Sequence, residues 1–277
     1  MTRAAITGAV LVAGIVGKPV RHSLSPIIHN AWITEAGMDA AYVAFEPPDE
    51  AAFQVLVQAG RAGMIQGLNI TAPYKAAAFD GADEISEAAR LCGSANVLRF
   101  RGGRALAHNT DGEGLLKAFA EQAPALDLAG GPVLFLGAGG AARAAVAALL
   151  TGGAPQVMIL NRTRGRAEAV AAHFDDRVRV IEPGDEGEAH LVINAVSGPM
   201  TFDFDRTPRA RGAMDMTYKP LMTPFLEAAR VRRLALVDGL AMLTGQAGPS
   251  FEAIFDRPAP ALDPRAVALA HLERVGA

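Results

Sequence analysis

A short apolar run at residues 132–136, PVLFL, leads directly into the glycine-rich segment GAGGAA, and an alanine-rich run follows it. In this G-x-G-x-x-A pattern Gly137 permits a tight turn, Gly139 lets the backbone approach a pyrophosphate, and Ala142 allows close packing of helix and strand. A helix that starts at such a loop also favours a phosphate at its N-terminus. The segment therefore predicts the first strand and helix of a dinucleotide-binding Rossmann domain. A glycine-rich turn without a ligand is the alternative.

The end of the next predicted strand indicates which dinucleotide binds. An NAD-binding domain commonly has an acidic residue about 20 residues past the glycines, where it accepts a hydrogen bond from the ribose 2′-hydroxyl. Here the strand QVMIL ends in NRTRGR, residues 161–166, which contains three arginines, a threonine and no acid. Guanidinium groups bind a 2′-phosphate, which a carboxylate would repel. The sequence therefore predicts NADP as the cofactor, with a solvent-exposed basic turn as the alternative.

Apolar runs typical of strands alternate with alanine-rich runs typical of helices along most of the chain. This alternation favours an α/β protein with mainly parallel strands. Four strands are predicted in the first part, at AVLVAGIV, AYVAFEP, GMIQGLNI and NVLRF, and six in the second part, from PVLFL to LALVDGL. Further helices are predicted between the strands and near the C-terminus, at LTGQAGPSFEAIF and DPRAVALAHLERV.

Two boundaries separate these series, one near residue 112, after NTDG, and one near residue 238, at VDGL. They assign residues 112–238 to an NADP-binding Rossmann domain, and residues 1–111 plus 239–277 to a second α/β domain with a mainly parallel sheet. The C-terminal helices thereby return to the first domain. We predict a cleft between the two domains, with the substrate held on one wall and the cofactor on the other.

Composition limits the class of protein further. The chain has 277 residues, of which 51% are hydrophobic and 20% charged, as in globular proteins. A net charge of −3 offers no basic field for nucleic acid. No window approaches 18 uninterrupted apolar residues, which argues against a membrane span. The lone Cys92 fits a reducing compartment. We expect a cytoplasmic protein with a small-molecule substrate, without nucleic-acid or membrane partners, and the scattered histidines predict no metal site.

Lysine is rare in this chain, and one lysine has an unusual predicted position. The sequence has 26 basic residues, only four of them lysines, and Lys75 ends the segment NITAPYK. Proline is common in the first turn of a helix, so Pro73 predicts that Lys75 lies in that turn. The partial positive charge there disfavours an ammonium. Because lysine can release its proton and arginine cannot, the placement suits a residue that changes charge during a reaction. A stray surface lysine is the alternative.

Other polar clusters are ambiguous when each is taken alone. Ser23 and Ser25 precede a predicted helix, where they would also serve as capping residues. Asp111 in HNTDGEG fits a helix cap equally well. Asn96 in GSANV and Gln246 near the C-terminus have no specific signature.

As an ordered set, however, these segments resemble the shikimate dehydrogenase family from about residue 12 to about residue 255. The matching motifs are GKPVRHSLSP, NITAPYK, GSANV, NTDGEG, GAGGAARA, NRTRGR, DMTYKP and DGLAMLTGQ. Members of this family reversibly reduce 3-dehydroshikimate to shikimate with NADPH, in the chorismate route to the aromatic amino acids. The resemblance implies the same activity, the same cofactor, and a substrate-binding role for the first domain.

The resemblance also implies a role for each matching residue. The substrate carboxylate would bind Ser23 and Ser25, with Tyr218 nearby. The ring oxygens would bind Asn69, Thr71, Asn96 and Gln246. The catalytic pair, which also contacts the substrate, would be Lys75 and Asp111. The pyrophosphate would bind Gly137, Ala138, Gly139, Gly140 and Ala141. The 2′-phosphate would bind Asn161, Arg162, Thr163, Arg164 and Arg166. Met216 and Gly239 would line the nicotinamide end.

Two alternatives stay open at this point. A quinate/shikimate or aminoshikimate dehydrogenase, including one that uses NAD, would share most of these motifs. A catalytically inactive dinucleotide-binding sensor would share the fold, although the presence of both Lys75 and Asp111 argues against it. The sequence also leaves open whether the protein is a monomer or a homodimer.

Overall fold

The computed structural model describes residues 6–198 and 200–276. The strands are β1 (Leu11–Val16), β2 (Ala40–Phe45), β3 (Gly67–Ile70), β4 (Glu84–Ile85), β5 (Val97–Arg101), β6 (Arg104–His108), β7 (Val133–Leu136), β8 (Val157–Leu160), β9 (Val178–Val180), β10 (Leu191–Asn194), β11 (Gly212–Asp215) and β12 (Ala235–Asp238). The helices are α1 (Ser25–Glu35), α2 (Glu50–Arg61), α3 (Lys75–Asp80), α4 (Glu87–Cys92), α5 (Asp111–Gln122), α6 (Ala142–Thr151), α7 (Arg164–Ala171), α8 (Pro224–Val231), α9 (Gly239–Phe255) and α10 (Pro264–Arg274). Short 3₁₀ turns occupy Leu128–Gly130 and Phe204–Arg206.

These elements form two compact units. The first unit contains the chain up to Thr110 and from Gln246 onward, and the second runs from Asp111 to Gly245. The sequence places the second boundary near residue 238, whereas the units divide inside α9. The two positions differ because α9 begins at Gly239, the glycine of VDGL, where the sequence suggests a turn. Oδ1 of Asp238 accepts the N–H of Ala241 at 2.9 Å, so the aspartate caps a helix that then runs through the expected boundary.

The first unit is built on a six-stranded sheet with the strand order β2-β1-β3-β5-β6-β4. Only β5 runs against its neighbours β3 and β6, while the other pairs are parallel, so the sheet is mainly parallel as predicted. Apolar side chains of β3 and β5 pack under Phe53 and Val57 of α2 in one core cluster. This packing fixes the positions at which the strands end.

The second unit has a six-stranded, fully parallel sheet with the order β12-β11-β10-β7-β8-β9. This is the doubly wound order of Rossmann folds, with two three-strand halves that meet between β7 and β10. Successive strand residues face opposite helix layers. Val133 and Phe135 lie in the core with α5 and α6, whereas Leu134 and Leu136 lie in the core with α8. Ligands of such folds bind beyond the carboxyl ends of the strands where the halves meet.

Several elements differ from the sequence-based prediction. Strand β6 was not predicted, although Gly102 and Gly103 have φ values of 57° and 77° and join β5 to β6 as a two-residue hairpin. Helices α5, α7 and α8 and the two-residue β4 were not predicted either. Lys75 does lie in the first turn of α3, but Pro73 does not. Tyr74 is the N-cap, and Pro73 precedes it, joined to Ala72 by a cis peptide bond.

Candidate active site and cofactor loop

Polar side chains collect at one edge of the first unit's sheet. Asn69 lies in β3 and Thr71 follows that strand, while Asn96 directly precedes β5. Val97 pairs with Asn69 on one side and with His108 on the other. Because β5 is antiparallel to both neighbours, its start lies at the edge where β3 and β6 end. The sheet therefore brings together amide and hydroxyl groups from two separate motifs, NITAPYK and GSANV.

Lys75 is tied to the same edge through its backbone. It is the first residue of α3, and its carbonyl oxygen accepts the N–H of Ala95 at 3.2 Å. Ala95 immediately precedes Asn96, whose own carbonyl oxygen accepts the N–H of Ile70 at 2.7 Å. The side chain of Lys75 is partly buried. The first turn of α3 is thus fixed relative to the amide groups at the ends of β3 and β5.

The side-chain amide of Asn69 is held on three sides. The hydroxyl of Tyr42 donates to Oδ1 of Asn69 at 2.7 Å. Nδ2 of Asn69 donates to the carbonyl oxygen of Asn96 at 3.4 Å and to Oγ of Ser250 in α9. Asn69 is 5% exposed. A buried amide with its partners in place keeps one orientation.

Thr110 links the two other predicted amides. Its N–H donates to Oδ1 of Asn96 at 2.8 Å, and Nδ2 of Asn96 donates to its Oγ1 at 2.9 Å. Its hydroxyl then donates to Oε1 of Gln246 at 3.2 Å. The structure therefore places Asn96 and Gln246 in one buried hydrogen-bond network.

Sequence reasoning missed Tyr42, Thr110 and Ser250. Two signals were present. Thr110 is part of the NTDG motif, and Ser250 lies four residues after Gln246, on the same face of one helix. Nothing in the strand sequence around Tyr42 marks its hydroxyl as a partner of Asn69.

Ser23 and Ser25 lie at the start of α1, which follows β1. Oγ of Ser23 accepts the N–H of Ser25 at 3.2 Å and lies 3.2 Å from Oγ of Ser25. Leu24, the N-cap, makes no side-chain capping bond. Ser23 therefore acts partly as a local cap, the alternative left open by the sequence, and holds the two hydroxyls together. Ser25 is buried and Ser23 is partly exposed.

In the second unit the loop at residues 137–141 joins β7 to α6 at the point where the halves of the sheet meet. Gly137 has φ 107°, and a Cβ there would lie 3.2 Å from the backbone carbon of Ala195, just after β10. A Cβ on Gly139 would meet no atom within 4 Å, so this part of the loop faces open space. The buried Ala142 begins α6. The loop thus has the tight turn, open backbone and helix start that fit a pyrophosphate.

The arginines after β8 are not equivalent. Arg164 begins α7 and forms ion pairs with Glu168, at 2.8 Å, and with Glu182. The hydrogen bond to Glu168, aided by the charge of Glu182, raises the pKa of Arg164. Arg162 and Arg166 are exposed, and within residues 6–198 and 200–276 their guanidinium groups form no ion pair. NRTRGR itself contains no acid, but Arg164 is paired with glutamates from elsewhere in the chain. Arg164 is therefore less available to bind a phosphate than Arg162 and Arg166.

Met216 and Gly239, the residues predicted to line the nicotinamide end, lie at the carboxyl ends of two strands of the second unit. Met216 follows β11, and Gly239 follows β12, its parallel neighbour. The two backbones approach closely, because a Cβ on Gly239 would lie 2.4 Å from the carbonyl oxygen of Met216. Tyr218 lies in the same segment as Met216 and is partly buried. Asp111 is buried at the start of α5.

The residues that the structure describes contain neither a metal-binding cluster nor a membrane-spanning helix. No group of three or more His, Cys, Asp or Glu residues suited to a metal ion occurs among residues 6–198 and 200–276. In that same part of the chain no helix has both the length and the apolar character needed to cross a bilayer.

The fold and site define a two-unit α/β protein that combines a Rossmann-type unit with a polar, lysine-bearing site on a second, mainly parallel sheet. Comparison with protein families specifies it further. A model described as the shikimate dehydrogenase substrate binding domain matches residues 15–98, and one described as shikimate / quinate 5-dehydrogenase matches residues 119–199. The chain belongs to the shikimate dehydrogenase family.

Individual relatives match over nearly the whole chain. Shikimate dehydrogenase (NADP(+)) of Caulobacter vibrioides is 47% identical, with 98% of this chain and 99% of the relative covered. The structure of shikimate 5-dehydrogenase from Thermus thermophilus in complex with NADP(H) and shikimate has a TM-score of 0.83 at 33% identity, covering 94% and 99% of the two chains. Quinate dehydrogenase from Corynebacterium glutamicum, in complex with NAD, has a TM-score of 0.85 at 27% identity, covering 94% and 99%.

Proposed function

We propose that the protein catalyses the reversible, NADP-dependent reduction of 3-dehydroshikimate to shikimate, a step of the chorismate route to the aromatic amino acids. The observation that carries this proposal is the hydrogen-bonded set of Asn69, Asn96 and Gln246 at one edge of the first unit. Side-chain amides held in fixed orientations, on a sheet edge to which the first turn of the Lys75 helix is hydrogen-bonded, suit a small ring with several oxygens. The names of the relatives support the same substrate and cofactor.

Lys75 is assigned the proton transfer. Reduction of a ketone places negative charge on its oxygen, so a proton donor has to reach that atom. The ammonium of Lys75 donates this proton, and the neutral amine accepts it in the reverse direction. Asp111 is assigned as the carboxylate that supports the charged form of Lys75.

The second unit fits NADP. When bound, NADP supplies the hydride for reduction and accepts it in oxidation. The loop at residues 137–141 and the start of α6 are assigned to the pyrophosphate, and Met216 and Gly239 to the nicotinamide end. Arg162 and Arg166, with Asn161 and Thr163, are assigned to the 2′-phosphate. Arg164 contributes less, because its guanidinium is paired with two carboxylates.

The other candidate functions are less well supported. A quinate dehydrogenase that uses NAD would be expected to place an acid where this chain has Arg162 and Thr163. An inactive sensor would not need both Lys75 and Asp111. We place the reaction in the cytoplasm, because a chain with a single cysteine, Cys92, cannot form an internal disulfide, as is usual in proteins of reducing compartments.

A spectrophotometric assay of the purified protein tests the proposal. Shikimate and quinate are each supplied with NADP and with NAD, and the absorbance of the reduced cofactor is followed. We expect the highest kcat/KM for shikimate with NADP. Preference for quinate with NAD would identify the paralogous enzyme instead, and no turnover of any pair would support the sensor.

A further inference from the structure

We propose that Tyr42 is a positioning residue that fixes the amide of Asn69 so that Asn69 offers the substrate a hydrogen-bond acceptor and no donor. The inference rests on the proposed function, in which Asn69 binds a ring oxygen of the substrate. It adds a chemical requirement: the substrate group that faces Asn69 must carry a hydrogen, as a hydroxyl does and a ketone does not.

The orientation of the amide follows from its backbone partner. The carbonyl oxygen of Asn96 can only accept, so the nitrogen of Asn69, and not its oxygen, faces this group at 3.4 Å. The second N–H of the same nitrogen donates to Oγ of Ser250. Both amide hydrogens of Asn69 are therefore engaged within the protein.

The hydroxyl of Tyr42 contacts Oδ1, the other polar atom of the Asn69 side chain. With the nitrogen fixed by Asn96, the atom 2.7 Å from the hydroxyl of Tyr42 is Oδ1 of Asn69. An amide oxygen accepts and never donates, so the hydroxyl must donate to it. One lone pair of Oδ1 is left for a ligand. The reversed amide would set its oxygen against the carbonyl oxygen of Asn96, which costs free energy in a buried site.

Contacts with Asn30 and His29 hold Tyr42 in position. Oδ1 of Asn30 accepts the N–H of Tyr42 at 3.1 Å, and Nδ2 of Asn30 donates to its carbonyl oxygen at 2.7 Å. The ring of His29 stacks on the phenol with centroids 4.3 Å apart. Burial raises the pKa of Tyr42 well above its ordinary value, so the hydroxyl keeps its proton. The Tyr42 hydroxyl therefore serves as the hydrogen-bond donor to Asn69.

The neighbouring amide has a different arrangement. Oδ1 of Asn96 accepts the backbone N–H of Thr110, which can only donate. The oxygen of Asn96 is thus directed at the protein backbone, whereas the oxygen of Asn69 keeps a lone pair for the substrate. Loss of the Tyr42 hydroxyl should disturb Asn69 and leave Asn96 in place.

The test is the Tyr42→Phe variant with Tyr74→Phe as its matched control. Tyr74 is also a buried tyrosine of the first unit, and its hydroxyl donates to the carbonyl oxygen of Pro47 at 2.8 Å. Each variant loses one buried hydroxyl bond. For Tyr42→Phe we expect the KM for shikimate to rise about tenfold, a typical effect of one lost hydrogen bond, with kcat and the KM for NADP nearly unchanged. Tyr74→Phe should keep the wild-type KM values.

Shikimate analogues that each lack one ring hydroxyl give a readout that a purely structural role would not move. In the wild-type protein each analogue should bind more weakly, and for one of them the penalty arises because Asn69 lacks its donor. In Tyr42→Phe this penalty should shrink for that analogue alone. Equal losses for all analogues, or an unchanged penalty, would overturn the inference.

A second variant covers the case in which Tyr42→Phe does not fold. Ser250→Ala removes the acceptor of one Asn69 N–H and keeps Tyr42, so the amide orientation loosens and the same single penalty should shrink. An unchanged penalty in this variant would also overturn the inference. Failure of the proposed function is distinguishable, because the wild-type protein itself would then show no turnover of shikimate.

Discussion

The imidazole of His29 stacks on the phenol ring of Tyr42, with the ring centroids 4.3 Å apart and the planes inclined by 10°. Trp32 and Phe251 pack edge-on and face-on against the same imidazole. His29 is fully buried, and neither ring nitrogen has a hydrogen-bond partner in the part of the chain that the structure describes. Burial therefore lowers the pKa of His29 from 6.5 to about 3. At neutral pH the ring is an uncharged spacer that supports the tyrosine.

Acid should destabilise the protein through His29. Between pH 6.5 and about 3 the unfolded chain binds a proton at this residue and the folded protein does not, so stability falls as the pH is lowered. The expected loss is about 1.4 kcal/mol per pH unit. Urea unfolding at pH 7, 6, 5 and 4 should show a shallower decline for His29→Phe. Val55, which is exposed and does not titrate, provides the control, and Val55→Ala should keep the wild-type slope. Identical slopes for all three proteins would show that His29 does not contribute.

Replacement of Lys75 should remove turnover and leave substrate binding. For Lys75→Ala we expect kcat to fall by about 10²- to 10⁴-fold, the usual contribution of a proton donor. Lys75→Arg should not restore activity, since arginine keeps its proton. Lys117→Ala, which breaks a surface ion pair with Glu113, is the control. Steady-state kinetics and calorimetric titration with shikimate separate the two effects. Near-normal kcat in Lys75→Ala would remove the lysine from the mechanism.

The arginines after β8 should differ in their effect on the cofactor. Arg162→Ala and Arg166→Ala should each raise the KM for NADPH about 10- to 100-fold, as expected for a lost charged hydrogen bond, and leave that for NADH nearly unchanged. Arg164→Ala should have a smaller effect, because its guanidinium already pairs with Glu168 and Glu182. The KM values of each variant for NADPH and for NADH test these expected differences. Equal losses for NADPH and NADH would contradict the assignment to the 2′-phosphate.

A methyl group at Gly239 should force the backbone at Met216 to move. A Cβ there would lie 2.4 Å from the carbonyl oxygen of Met216, far inside contact distance. Gly239→Ala should therefore lower stability by about 1–3 kcal/mol, as overpacking does, and weaken NADPH binding. Gly248→Ala in the same helix meets no atom within 4 Å and should be neutral or stabilising. Thermal unfolding of both variants and of the wild-type protein measures these changes in stability. A Gly239→Ala protein as stable as the wild type would show that the two backbones separate easily.

The sequence predicts the Rossmann unit well because its signal is local. A strand, the glycines from Gly137 and the helix after Ala142 follow one another within a few residues, and each is recognisable by itself. The hydrogen-bond network around Asn69 has no such signal, since Tyr42 and Ser250 lie 27 and 181 residues away along the chain. The pairing of Arg164 with Glu182 likewise depends on where the chain after β9 lies, which no motif records. Contacts between distant segments are what sequence patterns omit.

Trp32 donates its indole N–H to the carbonyl oxygen of Leu262 at 2.9 Å, a bond between residues 230 positions apart. It joins the two chain segments of the first unit, which the whole second unit separates in sequence. During synthesis the uninterrupted second unit is complete before α10 has left the ribosome, whereas α1 must wait for that helix. Because Trp32 is the sole tryptophan, its fluorescence reports this late closure directly. The polar array around Asn69 also depends on it, since Ser250 and Gln246 belong to the segment that arrives last.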